Sequence, residues 1–211
     1  MSLDKANSYL EKYVKRGEGL NIVQIGCNNC EDHVSKFVQK NSNNINNFIA
    51  VDALSSCTKI AEEKYKFLGE KFHAINVAIG INNGLIDFFC PLDGEKSYLA
   101  SANRKQLSLM RDTDIQKKMI PCLNINTFLR HLPFKRVDRF YVDAEGLDAS
   151  ILLEMNFEEC SPSFIQFERV HSDGHFITNL KLEKLVQKFK EYDYKTSLVR
   201  MDMIAEKKSH L

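Results

Sequence analysis

The sequence predicts an α/β protein with a mostly parallel sheet, helices on both faces and one antiparallel edge. Three observations predict it. Short apolar runs alternate with amphipathic segments of helical period along most of the 211 residues, the alternation that builds parallel sheets through crossover helices. Three of those runs close on acids, at Asp52, Asp143 and Glu168, which places carboxylates at the strand ends where open α/β sheets collect ligands. The last two runs, 194–199 and 201–205, lie close enough to pair as a hairpin, which supplies the antiparallel edge. No repeat and no linker divides the chain, so a single domain over 1–211 is expected.

Residues 3–16 space Leu3, Tyr9, Leu10, Tyr13 and Val14 helically and stop at Gly17 and Gly19. A strand over 21–25 turns at Gly26-Cys27-Asn28-Asn29 into a helix over 31–40, with Val34, Phe37 and Val38 inward. The asparagine-rich 41–47 reads as a loop, and 48–51 as the second strand, closing on Asp52. Ser55 or Ser56 caps the next helix, which runs to about residue 68. A third strand covers 72–77. Residues 79–90 read as a hairpin or an extended pair turned at Asn82-Asn83-Gly84. Periodicity fades over 91–118, a long surface loop of the kind that forms a mobile lid. The run 119–123 is short and apolar, and Asn124 or Asn126 caps a helix to His131. Strand 137–142 leads into helix 147–153, strand 163–167 ends at Glu168, and 178–192 is amphipathic through Leu180, Leu182, Leu185, Val186 and Phe189.

Hydrophobic residues make up 44% and charged residues 27%, with a formal net charge of +1. That balance lacks the strong basic excess that nucleic acid or an acidic membrane would call for. No apolar run approaches the roughly 20 residues of a membrane span, and the polar N-terminus lacks a signal-peptide core; a cytoplasmic protein is expected. The six cysteines read as reduced, mostly buried thiols. No signal of an oligomeric state is present.

Four stretches carry chemistry. Gly26 follows the first strand and precedes a helix, so backbone there can approach a ligand closely, although a plain strand-to-helix turn has the same look. Asp52, 26 residues later, can accept from a ribose diol or simply cap a helix. Together, at that spacing, the two point to an adenosine-type ligand. Asp143 and Glu145 end another strand, and Glu168 with His171 ends the next; these suit proton abstraction from a hydroxyl, a divalent cation held by Asp143, Glu145 and Glu168, or, for the first pair, helix capping. Cys27-Asn28-Asn29-Cys30 before a helix has the thioredoxin spacing, and a helix N-terminus would lower the pKa of Cys27. No aromatic-Cys pair precedes it, however, and only His33 is near as a further zinc ligand. The three-glycine dinucleotide pattern is absent, which counts against an NAD-dependent oxidoreductase.

Val23-Gln24-Ile25-Gly26-Cys27-Asn28, Val51-Asp52-Ala53, Asn76-Val77-Ala78-Ile79-Gly80, Tyr141-Val142-Asp143-Ala144-Glu145-Gly146-Leu147-Asp148 and the run from Pro162 to Glu168 together resemble the FkbM-type S-adenosylmethionine-dependent methyltransferases. The resemblance spans roughly residues 20–205, with Asp143-Ala144-Glu145-Gly146 its most specific piece. It implies a Rossmann-like fold with a seven-stranded sheet and methyl transfer, usually to a hydroxyl, of a small-molecule or saccharide acceptor. S-adenosylmethionine is the implied cofactor, without a favoured metal. Carried over, Gln24, Gly26, Cys27 and Asn28 line the methionine end, and Asp52 with Ala53 holds the ribose. Ala78 and Ile79 border the adenine, and Asp143 lies nearest the methyl group with Glu145 beside it. Gln24 stands where many members have an acid, and Cys30 where they have a glycine. The other functional class the sequence admits is a non-catalytic binding module that keeps this fold.

Overall fold

A computed structural model describes residues 19–92, 100–102, 114–170 and 180–208. Along these the chain forms β1 (Leu20–Ile25), α1 (His33–Lys40), β2 (Ile45–Asp52), α2 (Ser55–Tyr65), β3 (Phe72–Asn76), β4 (Ala78–Gly80), β5 (Gly84–Pro91), β6 (Ile115–Asn124), α3 (Ile125–Arg130), β7 (Arg139–Val142), α4 (Asp148–Glu154), β8 (Phe164–Glu168), α5 (Leu180–Glu191), β9 (Tyr194–Val199) and β10 (Asp202–Lys207). The expected N-terminal helix over 3–16 lies outside the described residues.

Seven strands form the main sheet in the order β3-β2-β1-β7-β8-β10-β9. The first five run parallel, and β10 and β9 close the edge antiparallel, as the sequence predicts. Every residue of β1 is buried, because a central parallel strand is covered on both faces. Side-chain alternation splits the core in two. Ile22, Phe48, Ala50, Tyr141 and Ile204 face α1 and α2 and pack on Val34, Phe37, Ala61 and Tyr65. Val23, Ile25, Val51, Phe140, Val142, Ile165 and Phe167 face the other way, against Phe128, Ile151, Leu152, Leu185 and Phe189 of α3, α4 and α5. The chain winds outward from β1 to β3, then resumes on the other side of β1 with β7. Strand order therefore reverses between β1 and β7, which opens a crevice at their carboxyl ends.

A second, three-stranded sheet, β4-β6-β5, corrects the hairpin expected over 79–90. β4 and β5 do not pair with one another; β6 lies between them, parallel to β4 and antiparallel to β5. Side-chain amides hold the turn to β6. The Asn124 backbone N–H donates to Asn83 Oδ1 at 2.9 Å, and Asn124 Nδ2 donates to the Ile81 carbonyl at 2.7 Å. Residues 115–118, expected in the loop, belong to the ten-residue β6; 93–99 and 103–113 lie outside the described residues. Asn124 caps α3 as expected, its side chain accepting from the N–H groups of Asn126 and Thr127. Ser55 and Ser56, in contrast, are inside α2, whose N-cap position is Leu54. Among the described residues no helix is long and apolar enough to cross a membrane.

Candidate active site

The reversal point is held by backbone alone. The Ile25 carbonyl accepts the Asp143 N–H at 2.9 Å, and the Gly26 N–H donates to the Val51 carbonyl at 2.8 Å, so the ends of β1, β2 and β7 are tied together. Gly26 has φ 77°, and a Cβ placed there would fall 1.8 Å from the Asp143 carbonyl oxygen. No side chain fits in either respect. The turn stays left-handed at Asn28 (φ 45°) and Cys30 (φ 56°). Asn28 presents its N–H to Asp52 Oδ2 at 2.9 Å, and the Leu54 N–H meets Oδ1 at 2.9 Å. Asp52 is thus aimed by these two backbone donors, with the Cys57 side chain and the Cys27 backbone also bonded to it. Burial pushes its carboxyl above the usual aspartate range, and those N–H groups hold it part of the way down.

Gly26, Asn28, Asp52, Ala53, Ala78, Ile79, Asp143 and Glu145 line one cavity. Eight of the sequence-predicted site residues are brought together there. Ile86 and Phe88 of the second sheet complete its apolar wall, a contribution that the hairpin expectation could not supply. An apolar slot with a fixed diol-accepting carboxylate suits an adenosine moiety, so these side chains fit the cofactor that the sequence resemblance implies.

The segment after β7 departs from the capping reading. Neither Asp143 nor Glu145 caps α4. Glu145 and Gly146 take positive φ (48° and 94°), and the Glu145 carbonyl accepts from Ser101 Oγ at 2.9 Å. The stabilising acid is Asp148, fully buried in the first turn of α4, whose carboxyl accepts from the N–H groups of Ala144 (3.3 Å) and Gly146 (3.2 Å). Burial, then the charges of Asp143 and Glu168, raise its pKa well above the ordinary value. The two N–H groups it holds lie in the turn before α4, and an acid in the first turn of a helix is favoured by the helix dipole as well.

On the opposite side of Asp143 lies a second cleft of about 160 Å³, lined among others by Gln24, Asp32, His33, Tyr141, Asp143, Gln166, Glu168 and Asp202. Period-two alternation explains its wall. Gln24, Tyr141 and Gln166 are register partners across β1, β7 and β8, and Asp202 pairs with Glu168 across β10 and β8. Gln24 Nε2 donates to Asp32 Oδ2 and Gln166 Nε2 to Asp202 Oδ2, each at 2.6 Å. Asp32 also caps α1 by accepting from the Ser35 N–H at 2.8 Å. Gln24 therefore belongs to this cleft and faces away from the Gly26–Asp52 cavity. Asp143 stands where the two meet. Solvent reaches its surface, but the surrounding protein desolvates the carboxyl, and Glu168, Asp202, Asp32 and Asp52 add negative field. Its pKa is pushed up to about 7.

Cys27 lines neither space. It is 1% exposed, in the core between the sheet and α1, and α1 begins only after the Asp32 cap. Hydrogen bonding to Cys30 and burial raise its thiol pKa, so the lowering expected from a helix N-terminus does not occur. Cys30 is fully buried in the left-handed region, a conformation that glycine adopts without the cost a Cβ brings. Among the described residues no three carboxylate, imidazole or thiol groups are placed to hold one metal ion, so Asp143, Glu145 and Glu168 do not assemble as the ligand set the sequence admits. His171 lies outside the described residues.

Comparison with known proteins agrees with this architecture. The profile described as Methyltransferase FkbM domain matches residues 19–196. The crystal structure of methyltransferase FkbM from Methylobacillus flagellatus KT superimposes with a TM-score of 0.57 at 10% identity, over 89% of this chain and 43% of that one. This chain therefore spans under half the length of that protein. TrmK of M. capricolum, solved in complex with S-adenosyl-homocysteine, matches at TM-score 0.47 and 11% identity over 99% of this chain and 69% of that one. An S-adenosylmethionine-dependent methyltransferase from Aquifex aeolicus matches at 0.41 and 10%, over 92% and 86%. No curated protein sequence matches. Because the domain match runs from β1 into β9, the protein belongs to the FkbM methyltransferase family.

Proposed function

We propose that this chain methylates a hydroxyl on a small molecule or saccharide at the expense of S-adenosylmethionine. The observation that carries the reading is the meeting of two spaces at Asp143: a cavity walled by Ile79, Ile86 and Phe88 with Asp52 in its lining on one side, and a polar cleft on the other. When bound, the cofactor supplies an electrophilic methyl group on a sulfonium that departs as a neutral sulfide. Asp143 would take the acceptor hydroxyl's proton as that oxygen receives the methyl group and the sulfide leaves. A carboxyl with a pKa of about 7 suits a general base at neutral pH. Asp52 and the Gly26 turn would hold the adenosine, with Ala53 at the ribose and Ala78 and Ile79 at the base. Glu145 would border the methyl-transfer position. His171, three residues beyond Glu168, is the second candidate for the proton.

Calorimetry with S-adenosyl-homocysteine, followed by product formation with an acceptor found by screening, tests this. Binding is expected. Asp143→Asn should then lower kcat by about 10²–10⁴-fold with cofactor affinity within about threefold, whereas His171→Ala separates the two candidates for the base. Full activity in both variants would sink the assignment. Absence of cofactor binding at millimolar concentration would favour the second reading, a binding module that keeps the fold, for which the strained Cys30 speaks.

A further inference from the structure

We propose that Ser101 is a positioning residue for methyl transfer. Its hydroxyl holds the Glu145 carbonyl and so keeps the Glu145 carboxylate in the cofactor cavity, where it favours a cationic sulfonium over a neutral sulfide. This role rests on the methyl-transfer reading above and adds to it a residue from outside the main sheet.

Glu145 sits in the turn between β7 and α4 with φ 48°, a left-handed conformation that a residue with a Cβ keeps only where its surroundings impose it. Two side chains impose it here. Asp148, at the start of α4, accepts from the N–H groups of Ala144 at 3.3 Å and Gly146 at 3.2 Å. Ser101 Oγ donates to the Glu145 carbonyl at 2.9 Å. The peptide between Glu145 and Gly146 is therefore held at both ends, its N–H by Asp148 and its carbonyl by Ser101. With the carbonyl released, Glu145 can relax to negative φ, and a change of that size re-aims its Cβ. Glu145 lines the same cavity as Asp143, so the relaxation would withdraw its carboxylate from that space.

Ser101 is itself firmly placed. It is 1% exposed, and its N–H and carbonyl pair with the Phe89 carbonyl and N–H of β5, each at 2.9 Å. Ala100 and Ala102, on either side of it, line the cavity. Those bonds are main-chain, so Ser101→Ala keeps them and removes only the hydroxyl. Closing that side of the cavity needs no hydroxyl, because the backbone pairing with β5 already does it. The hydroxyl instead reaches the turn after β7, 44 residues along the chain, and joins the second sheet to Glu145. A sulfonium carries a fixed positive charge, and a carboxylate in a cavity walled by Ile79, Ile86 and Phe88 attracts it more strongly than one in water. S-adenosyl-homocysteine has no charge at that sulfur.

Calorimetry with S-adenosylmethionine and with S-adenosyl-homocysteine tests this in the unaltered protein, Ser101→Ala, Glu145→Gln and the double variant. The two ligands differ by the methyl group and its charge, so the ratio of their affinities reads the charge near the sulfur and cancels a general loosening of the cavity. Ser101→Ala should weaken S-adenosylmethionine about 3–10-fold more than S-adenosyl-homocysteine, the effect of one hydrogen bond. Glu145→Gln should move the ratio in the same direction by at least as much, and the double variant no further than Glu145→Gln alone. Equal losses for both ligands in Ser101→Ala would make Ser101 a wall residue only and overturn the assignment. Effects that multiply in the double variant would overturn it too, because Ser101 would then act independently of Glu145. An unchanged ratio in Glu145→Gln would do the same, whether or not the serine variant folds. If the unaltered protein binds neither ligand, the methyl-transfer reading fails and this role with it; binding with unchanged ratios in the variants removes this role alone.

Discussion

The two spaces that meet at Asp143 are built by opposite means. The Gly26–Asp52 cavity is made by backbone: left-handed residues at Gly26 and Asn28, strand ends tied by main-chain hydrogen bonds, and one carboxylate aimed by two N–H groups. The acidic cleft is made by side chains. Gln24, Asp32, Gln166 and Asp202 come from β1, the α1 cap, β8 and β10, and each holds its place through a partner side chain. A backbone-built site tolerates almost no change at its glycine and wide change elsewhere. A side-chain-built site keeps its fold when altered and changes what it binds. The cavity is accordingly the conservative half of the crevice and the cleft the adaptable half.

The sharpest way to break that contrast is Gly26→Ala. Its new methyl would fall 1.8 Å from the Asp143 carbonyl at φ 77°, so β1 and β7 must part at the point where they define the crevice. A loss of at least about 2 kcal/mol is expected, with loss of S-adenosyl-homocysteine binding; urea melts and calorimetry measure both. Near-wild-type stability would mean that the Gly26 turn relaxes freely and that the cavity is not fixed by its backbone. Asp52→Asn is the milder probe. An amide must turn an NH₂ toward either the Asn28 or the Leu54 N–H, so one of the two aiming bonds is lost together with the charge that accepts a diol. Cofactor affinity should fall about 10–100-fold with the melting curve little changed. An unchanged affinity would remove Asp52 from the site.

The same contrast explains what was legible in the sequence. The cavity was readable because its parts are local: Gly26 directly after a strand, Asp52 at the end of the next, Ala78 after the third. The sheet, too, follows from alternation and from the hairpin of β9 and β10. Asp32 and Asp202 were not readable. Asp32 looks like an ordinary capping residue until the period-two alternation of β1 turns Gln24 toward it. Asp202 reaches the rim only because β10 pairs antiparallel with β8 in a register that sets it opposite Glu168, 34 residues earlier. Neither has a local signature. Gln24 and Gly26 are two residues apart, a spacing that sets both on one face of a strand, but β1 ends at Ile25 and Gly26 turns left-handed, so the two residues line different spaces. The β4-β6-β5 sheet has no local signature either, since hydrogen bonds between Asn124 and the turn at Ile81 and Asn83, more than 40 residues earlier, tie the chain there.

The smallest expected effect reads both halves at once, because the Asp143 carboxyl stands in each. Its pKa is raised from 3.8 to about 7 by desolvation and by Glu168, Asp202, Asp32 and Asp52. As a base it acts ionised, so kcat/KM should rise with pH and level off above about 7. Stability runs the other way. In the unfolded chain the group ionises near 3.8, so its contribution to folding is fully present below that pH. It declines as pH rises toward 7 and has been lost above it. Asp202→Asn removes one negative neighbour but leaves the desolvation, so the midpoint of the rate profile should fall by about half a unit, a shift typical of one nearby charge. Because Asp202 lies outside the cavity, the variant should move this midpoint without moving cofactor affinity. A midpoint that stays in place while activity drops would mean that Asp202 contacts the acceptor without tuning the base. A midpoint near 4 in the unaltered protein would mean that water reaches Asp143 too well for its neighbours to matter, and the proton would then be sought on His171.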